Sequence, residues 1–342
     1  RDFADRPADQ VRSDGGGRQP VEKKDSAIKS ALQSLVEPET AGNPMSAEKW
    51  LRSSLRHLSD SLKAQGHAAC PNTIGRLLKQ MDYSLKANVK RQAGTQHPDR
   101  NTQFEYIEAQ KQYFLSKGWP IISIDVKKKE QIGNFKNNGQ NWCLEAEPVN
   151  DHDFKSDALG RAVPYGIYVV NHNEGYVYVG QSADTAEFAV DVLVRWWQEF
   201  GQFDFPDAPC MLILCDGGGS NGYRLRLWKV QLQEQLADKL GLNVTVCHYP
   251  TGASKWNPIE HRLFGPISTN WAGKPLRTFE IMLACIRGTT TQPGLKVSAF
   301  LVEKVYVKGV KVAKEVMESL NLERHATCPN WNYTIYPRSV SA

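Results

Sequence analysis

The sequence is short of several things that would declare its class at once. Seven cysteines occur in 342 residues (Cys70, Cys143, Cys210, Cys215, Cys247, Cys285, Cys328), and no two of them form a CxxC pair. A scattered, odd set argues against a disulfide framework and for reduced thiols in a cytosolic chain. Long hydrophobic runs are missing too. No stretch approaches the ~18–20 apolar residues that span a bilayer, and the N-terminus has no signal-peptide layout, so a helical membrane span is excluded. The formal net charge of +5 is too small to name a polyanion as partner. No internal repeat is visible. What is present is a globular composition, 41% hydrophobic and 10% aromatic, in a chain long enough for two or three domains.

The charge is unevenly spread. Residues 46–100 carry ten Lys/Arg against four Asp/Glu, a net of +6, whereas residues 119–271 carry thirteen against eighteen, a net of −5. A basic module beside an acidic one suggests polyanion binding in the first and a need for carboxylates in the second. Residues 1–45 read as a flexible lead-in with one short helix at AIKSALQSLV. Residues 46–98 read as a helix-turn-helix module. SAEKWLRSSLRHLSDSLKAQG places Trp50, Leu51, Leu55, Leu58 and Leu62 at helical spacing up to Gly66. CPNTIGRLLKQMDY follows with Asn72 or Thr73 as cap, an apolar face of Ile74, Leu77, Leu78 and Met81, and Arg76 and Lys79 pointing outward. With Arg52 and Arg56 on the first helix and Lys86, Lys90 and Arg91 in the basic tail, these residues (Asn72 and Thr73 included) are the candidate contacts to double-stranded DNA. An ordinary helical hairpin with a solvated basic face remains the alternative. A linker helix is expected over 99–118.

From 119 to 275 the texture is α/β. PIISIDV (120–126) is a strand; after a polar excursion come GIYVVN and EGYVYVG, two alternating strands joined by a tight turn near His172 and Asn173. The helix DTAEFAVDVLVRWWQEF, the strand PCMLILCD, the helix YRLRLWKVQLQEQLADKLG, the strand NVTVCHY and a last helix complete a β-β-β-α-β-α-β-α order. That order is a mixed sheet of three antiparallel strands continued by helix crossovers. Residues 276–342 read as an α+β extension whose role is not legible.

Asp125 and Asp216 each end a buried apolar strand, where side chains project into the crevice that commonly binds ligands. Glu260 lies in ASKWNPIEHRLF, where Asn257, Pro258 and Glu260 also resemble an ordinary capped helix start. Three converging carboxylates with few Cys or His partners suit Mg²⁺ or Mn²⁺, and two such ions about 3.5–4 Å apart would serve phosphodiester chemistry. Each member has a plain alternative: Asp125 as a surface charge beside Lys127–Lys129, Asp216 as a turn residue before glycine, Glu260 as a cap.

The phrases VEPET, HPDRNTQFEYI, SIDVKKKE, GNFKN, AVPYGIY, DTAEFAV, DGGGSNG, RLWKVQLQ, VCHYPTGASKWNPIEHRLF, NWAGKPL, YVKGVKV and WNYTIYPR resemble the ISAzo-thirteen family of insertion-sequence transposases, from about residue 11 to 338. The resemblance implies a ribonuclease-H-like fold, a DDE triad of Asp125, Asp216 and Glu260 spaced by 91 and 44 residues, and Mg²⁺ or Mn²⁺ as cofactor. It also implies a pocket shaped by Asn257 and by Gly217, Gly218, Gly219 and Asn221. Lys128, His261 and Arg262 stand close enough in sequence to reach phosphate. The implied activity is DNA strand cleavage and transfer of an insertion sequence, by a homo-oligomer on element ends and target, in the cytoplasm at the nucleoid. Such families usually begin with a further DNA-binding segment, which the Arg1 start suggests is missing. The competing functions are a degenerate transposase that only binds DNA and a ribonuclease-H-like nuclease.

Overall fold

The computed structural model describes residues 19–42, 49–51, 53–83, 97–141 and 143–338. The chain divides into two compact units, Arg1–Arg91 and Gln92–Ala342.

In the first unit, α1 (Val21–Lys24) and α2 (Ile28–Glu39) precede a two-stranded antiparallel ribbon of β1 (Thr40–Gly42) and β2 (Lys49–Leu51). Helices α3 (Leu55–Ala64) and α4 (Pro71–Gln80) follow. The expected helix therefore starts later than its apolar spacing suggests. Trp50 and Leu51 belong to the ribbon, and the Ser54 side chain caps α3 by accepting from the His57 amide at 3.1 Å. Helix α4 starts earlier than expected, at Pro71, whose fixed φ suits a first helical position, so Asn72 and Thr73 lie inside the first turn and do not cap it. Ile28, Leu32 and Val36 of α2 bury against Leu58 and Leu62 of α3 and Ile74, Leu77 and Leu78 of α4. The short helix expected in the lead-in is thus the third wall of this small core.

The second unit is built on one sheet in the order β10-β11-β8-β7-β3-β5-β6-β9. At its centre β3 (Ile121–Val126) pairs antiparallel with β5 (Gly160–Val169), which pairs antiparallel with β6 (Glu174–Gly180). On the other side β3 runs parallel to β7 (Cys210–Cys215), and β7 parallel to β8 (Asn243–His248). Residues Ile121–Ile124 and Met211–Cys215 are buried throughout, as strands covered on both faces must be. The mixed α/β sheet, three antiparallel strands continued by parallel ones through helix crossovers, is the order that the sequence leads one to expect. Short β4 (Glu130–Ile132) pairs with the start of β5. The tail closes both edges: β9 (Lys296–Val302) runs parallel beside β6, and β11 (Asn332–Ile335), with β10 (Leu322–Arg324), runs antiparallel beside β8.

One face is covered by α6 (Ala186–Trp196), which runs through a wide turn at Trp197–Gly201 into α7 (Gln202–Asp204), and by α8 (Arg226–Gln231), which continues into α9 (Asp238–Leu240). Thr185 caps α6 by accepting from the Phe188 amide. Helix α5 (Arg100–Lys117), expected as a linker, packs Ile107 and Phe114 against Ile121, Leu212 and Leu214. The helical segment that begins at Pro258 passes through a wide turn at Glu260–Phe264 into α10 (Gly265–Asn270), and with α11 (Phe279–Arg287) it covers β5, β6 and β9. Exposed α12 (Lys314–Glu318) lies between β9 and β10. Two glycines let the Pro258 segment approach. A Cβ on Gly166 would sit 2.6 Å from the Phe264 ring and 2.8 Å from Ile259, and one on Gly175 would overlap Leu263.

Candidate active site

Asp125, Asp216 and Glu260 come from three elements and meet at one end of the sheet. Asp125 is at the C-terminal end of β3, opposite Gly166; Asp216 directly follows β7; Glu260 opens the wide turn that leads to α10. All three are half-buried. Burial, followed by the charge of Asp216 and then that of Glu260, pushes the Asp125 carboxyl from its ordinary 3.8 to about 8, despite the Val126 amide donating to its Oδ1 at 2.7 Å. Glu260 also hydrogen-bonds the Asp125 carboxyl. Burial raises Asp216 to about 6, opposed by a hydrogen bond from Asn257 and reinforced by the Glu260 charge. Asp125 therefore feels both of the other carboxylates and Asp216 feels Glu260, and no Lys or Arg ion-pairs with any of the three among the described residues. A cluster of this kind, short of positive charge, has the oxygen-only donor set that a hard divalent cation takes.

Asn257 ties the cluster together. It is fully buried; its Nδ2 donates to the Ile124 carbonyl at 3.2 Å and to Asp216 Oδ1 at 3.3 Å, and its Oδ1 accepts from Ser123 Oγ. Ser123 Oγ in turn accepts from the Ile259 amide at 3.0 Å. The side chain read as a helix cap thus joins the helix start to β3 and β7, and Glu260 turns toward Asp125 rather than back to close a capping box.

The other expected pocket residues divide. Gly217 adjoins Asp216, Gly218 and Gly219 are exposed with Gly219 at φ +72°, and Asn221 is buried with no hydrogen-bond partner for its Nδ2 among the described residues. Lys128 is exposed and lines a cleft of about 210 Å³ with Lys129, Lys136 and Asp153. His261 is exposed and donates to the Lys255 carbonyl; exposed Arg262 acts on Tyr168. In the first unit Arg56, Asn72 and Lys79 are exposed and Thr73 half-buried. Arg76 is engaged differently, as a two-pronged ion pair to Glu22 at 2.6 and 2.5 Å. Arg52, Lys86, Lys90 and Arg91 lie outside the described residues.

Sequence reasoning missed Ser123, Lys127 and His248. Ser123 and Lys127 share a face of the chain with Asp125 by simple alternation, which is a usable signal. Lys127 is only 9% exposed, its Nζ lies 4.7 Å from the centre of the Trp271 ring, and burial lowers its pKa against the charges of Glu130 and Glu260. His248, in register with Cys215, is fully buried beneath Asp216: its Nδ1 lies 3.0 Å from the Asp216 carbonyl and its Nε2 3.3 Å from the Tyr333 hydroxyl. Burial drops its pKa to about 4, so it is neutral.

A second acidic group lies elsewhere. His172, Glu174 and Asp204 have ligand atoms within 4.8 Å of one another, the only such group among the described residues. It stands at the β5–β6 turn, where β5 pairs with the start of β3 rather than with its Asp125 end, and Glu174 is engaged by Tyr176 and Lys296. The Asp125 cluster is more widely spread.

A family model described as the Rhodopirellula transposase DDE domain matches residues 31–337. The chain belongs to that family. The resemblance read from the phrases is therefore borne out, and so is the function it implied, that of a DDE transposase. No curated protein matches the transposase significantly. Among solved structures it is similar to the Mos1 transposase paired-end complex with left transposon end, at 13% identity and a TM-score of 0.40, over 79% of this chain and 72% of that one. It is similar as well to the Mos1 mariner paired end complex with Mn, at 12% identity and a TM-score of 0.39, over 79% and 71%. Likeness at that distance transfers no residue roles. Among the described residues of the transposase, no helix is long and apolar enough to cross a membrane.

Proposed function

We propose that Asp125, Asp216 and Glu260 are the transposase's metal-binding catalytic triad, and that they hold two divalent ions between them, Mg²⁺ or Mn²⁺. The observation that carries this reading is the meeting of three carboxylates at one end of the sheet, with burial and neighbouring charge raising Asp125 and Asp216 and no ion-pair partner for any of the three among the described residues. When bound, such ions supply Lewis-acid stabilisation of charge on the attacking and leaving oxygens of a phosphodiester. The chain's own groups do the rest. At neutral pH the raised Asp125 carboxyl keeps a proton that it shares with Glu260, so loading a cation must release that proton, and affinity rises with pH. Asn257 holds Asp216 Oδ1 against β3, and the Gly166 and Gly175 gaps hold the Glu260 turn close to the sheet.

The substrate is double-stranded DNA, first the element ends and then the target, held in part by the exposed Arg56, Asn72 and Lys79 of the helical unit. Residues 46–98 are assigned to DNA binding and 119–275 to catalysis, with 276–342 as an extension whose strands complete the sheet. Two ends need two sites, which calls for a homo-oligomer on DNA. The test incubates the protein with labelled element ends and Mg²⁺. Nicking and joining that Asp216→Asn abolishes while binding persists supports the reading; binding without chemistry in wild type makes this copy a DNA-binding relic.

A further inference from the structure

We propose that Lys127 is a phosphate-binding residue of this site, its ammonium taking a backbone oxygen of the DNA strand that lies against the carboxylates; this rests on the function proposed above. Among the described residues, buried lysines with no hydrogen-bonding or ionic partner are rare, because a desolvated ammonium needs compensation. Lys127 is 9% exposed, and among the described residues its Nζ has no hydrogen-bond or ion-pair partner, only the face of Trp271 with its centre 4.7 Å away. A cation–π contact contributes about 0.5–2 kcal/mol, less than the loss of hydration it must offset. The other lysines of the same run are already accounted for: Lys129 ion-pairs with Asp184 at 2.9 Å and Lys128 is exposed at the rim of the cleft.

Position points the same way. Ser123, Asp125 and Lys127 alternate onto one face, so Lys127 stands one residue pair beyond the Asp125 carboxyl on the side that Ser123 and Asn257 occupy. Glu260 is near enough to act on its charge. The backing is fixed as well. Trp271 is 3% exposed, its carbonyl accepts from Asn137 Nδ2 at 3.0 Å, and the Lys127 amide donates to the Pro164 carbonyl at 2.9 Å. A rigid cation held beside three carboxylates, yet paired with none of them, is placed to receive a phosphate that also reaches those carboxylates through bound cations.

The test uses the full chain with Lys127→Met, which keeps the length and the packing on Trp271, Lys127→Gln as a second neutral variant, and Lys127→Arg. Binding of a labelled DNA duplex is measured without divalent ion across a salt series, and urea unfolding checks that each variant folds. Both neutral variants are expected to flatten the slope of log K against log[salt] by about 0.9, the signature of one lost phosphate contact, and Lys127→Arg to restore it. With Mg²⁺, nicking by the neutral variants is expected to fall at least tenfold. An unchanged slope in a folded neutral variant overturns the proposal and makes Lys127 a strut for Trp271. The two readings separate cleanly: wild type that fails to nick refutes the proposed catalysis whatever the slopes show, and slopes alone decide Lys127.

Discussion

Asp125→Asn should make the ion-free transposase more stable at neutral pH while it removes activity. The wild-type carboxyl sits at about 8 in the folded chain against an ordinary 3.8. A folded-state pKa raised above the unfolded one means that folding favours the protonated form. The associated stability is fully present below the unfolded value and is lost as pH rises toward about 8. A tenfold change in proton affinity is worth about 1.4 kcal/mol, so ionising this group in the fold is opposed by roughly 6 kcal/mol, set by burial and by the charges of Asp216 and Glu260. Asparagine keeps the shape and the acceptor for the Val126 amide, gives Glu260 an N–H donor, and carries no charge. A gain on the order of 2–4 kcal/mol at pH 8 follows for the variant, or about 5–10 °C in thermal midpoint for a domain of this size.

The assay is thermal unfolding of both proteins in a chelator from pH 4.5 to 8.5, repeated with Mn²⁺. Wild type should lose stability toward alkaline pH in the chelator and recover it with Mn²⁺, because a ligand that binds only the folded state stabilises it. The variant should lose less, keeping only the part that Asp216 contributes as pH rises toward about 6, and should recover less with Mn²⁺. A wild-type midpoint that stays level from pH 4.5 to 8.5 relative to the variant, or a variant less stable at pH 8, would refute the idea that the cluster is held together against its own charge.

Three further outcomes follow from other parts of the chain. Gly166→Ala should cost about 1–3 kcal/mol of stability and lower nicking by displacing Phe264 and the Glu260 turn; wild-type nicking in a folded Gly166→Ala protein contradicts the close-approach argument. His248 is held at about 4 against an ordinary 6.5, so its contribution is present above 6.5 and lost as pH falls toward 4. The stability advantage of wild type over His248→Gln, measured by urea unfolding, should therefore shrink by about 3 kcal/mol between pH 7 and 4, and a constant difference goes against it. In the first unit, Lys79→Ala should flatten the salt dependence of DNA binding by about 0.9 in slope, whereas Arg76→Ala, whose guanidinium is engaged by Glu22, should leave the slope in place; equal effects refute the distinction.

The strands at the centre of the fold were legible because burial on both faces leaves unbroken apolar runs, as in PIISIDV and PCMLILCD, and because a charged residue marks where each run meets solvent. Elements whose partners are distant were not. LKVSAFLV reads as a strand, but its place beside β6 is set by pairing Glu174 with Lys296, a register that no local pattern encodes. The same holds for WNYTIYP, which completes the sheet next to β8. The late start of α3 was hidden for a different reason. Trp50 and Leu51 continue the helical spacing of Leu55, Leu58 and Leu62, so periodicity alone extended the helix across the Ser54 cap that ends it.

The site was legible in its charges and obscure in its supports. Asp125 and Asp216 could be found from strand ends, whereas the turn of Glu260 toward them depends on what surrounds Asn257. The N-P-I-E pattern satisfies a helix cap and a buried polar bridge equally well, since an Asn side chain can serve helix amides or a neighbouring strand. Here tertiary structure decides: Ser123 and the Ile124 carbonyl, brought opposite Asn257 by the sheet, take its hydrogen bonds, and the Glu260 carboxyl is left to face Asp125. Nor is the closeness of that turn written in its own segment. It depends on Gly166 and Gly175, on two neighbouring strands more than eighty residues earlier in the chain, whose missing side chains leave the space that Phe264 and Leu263 fill.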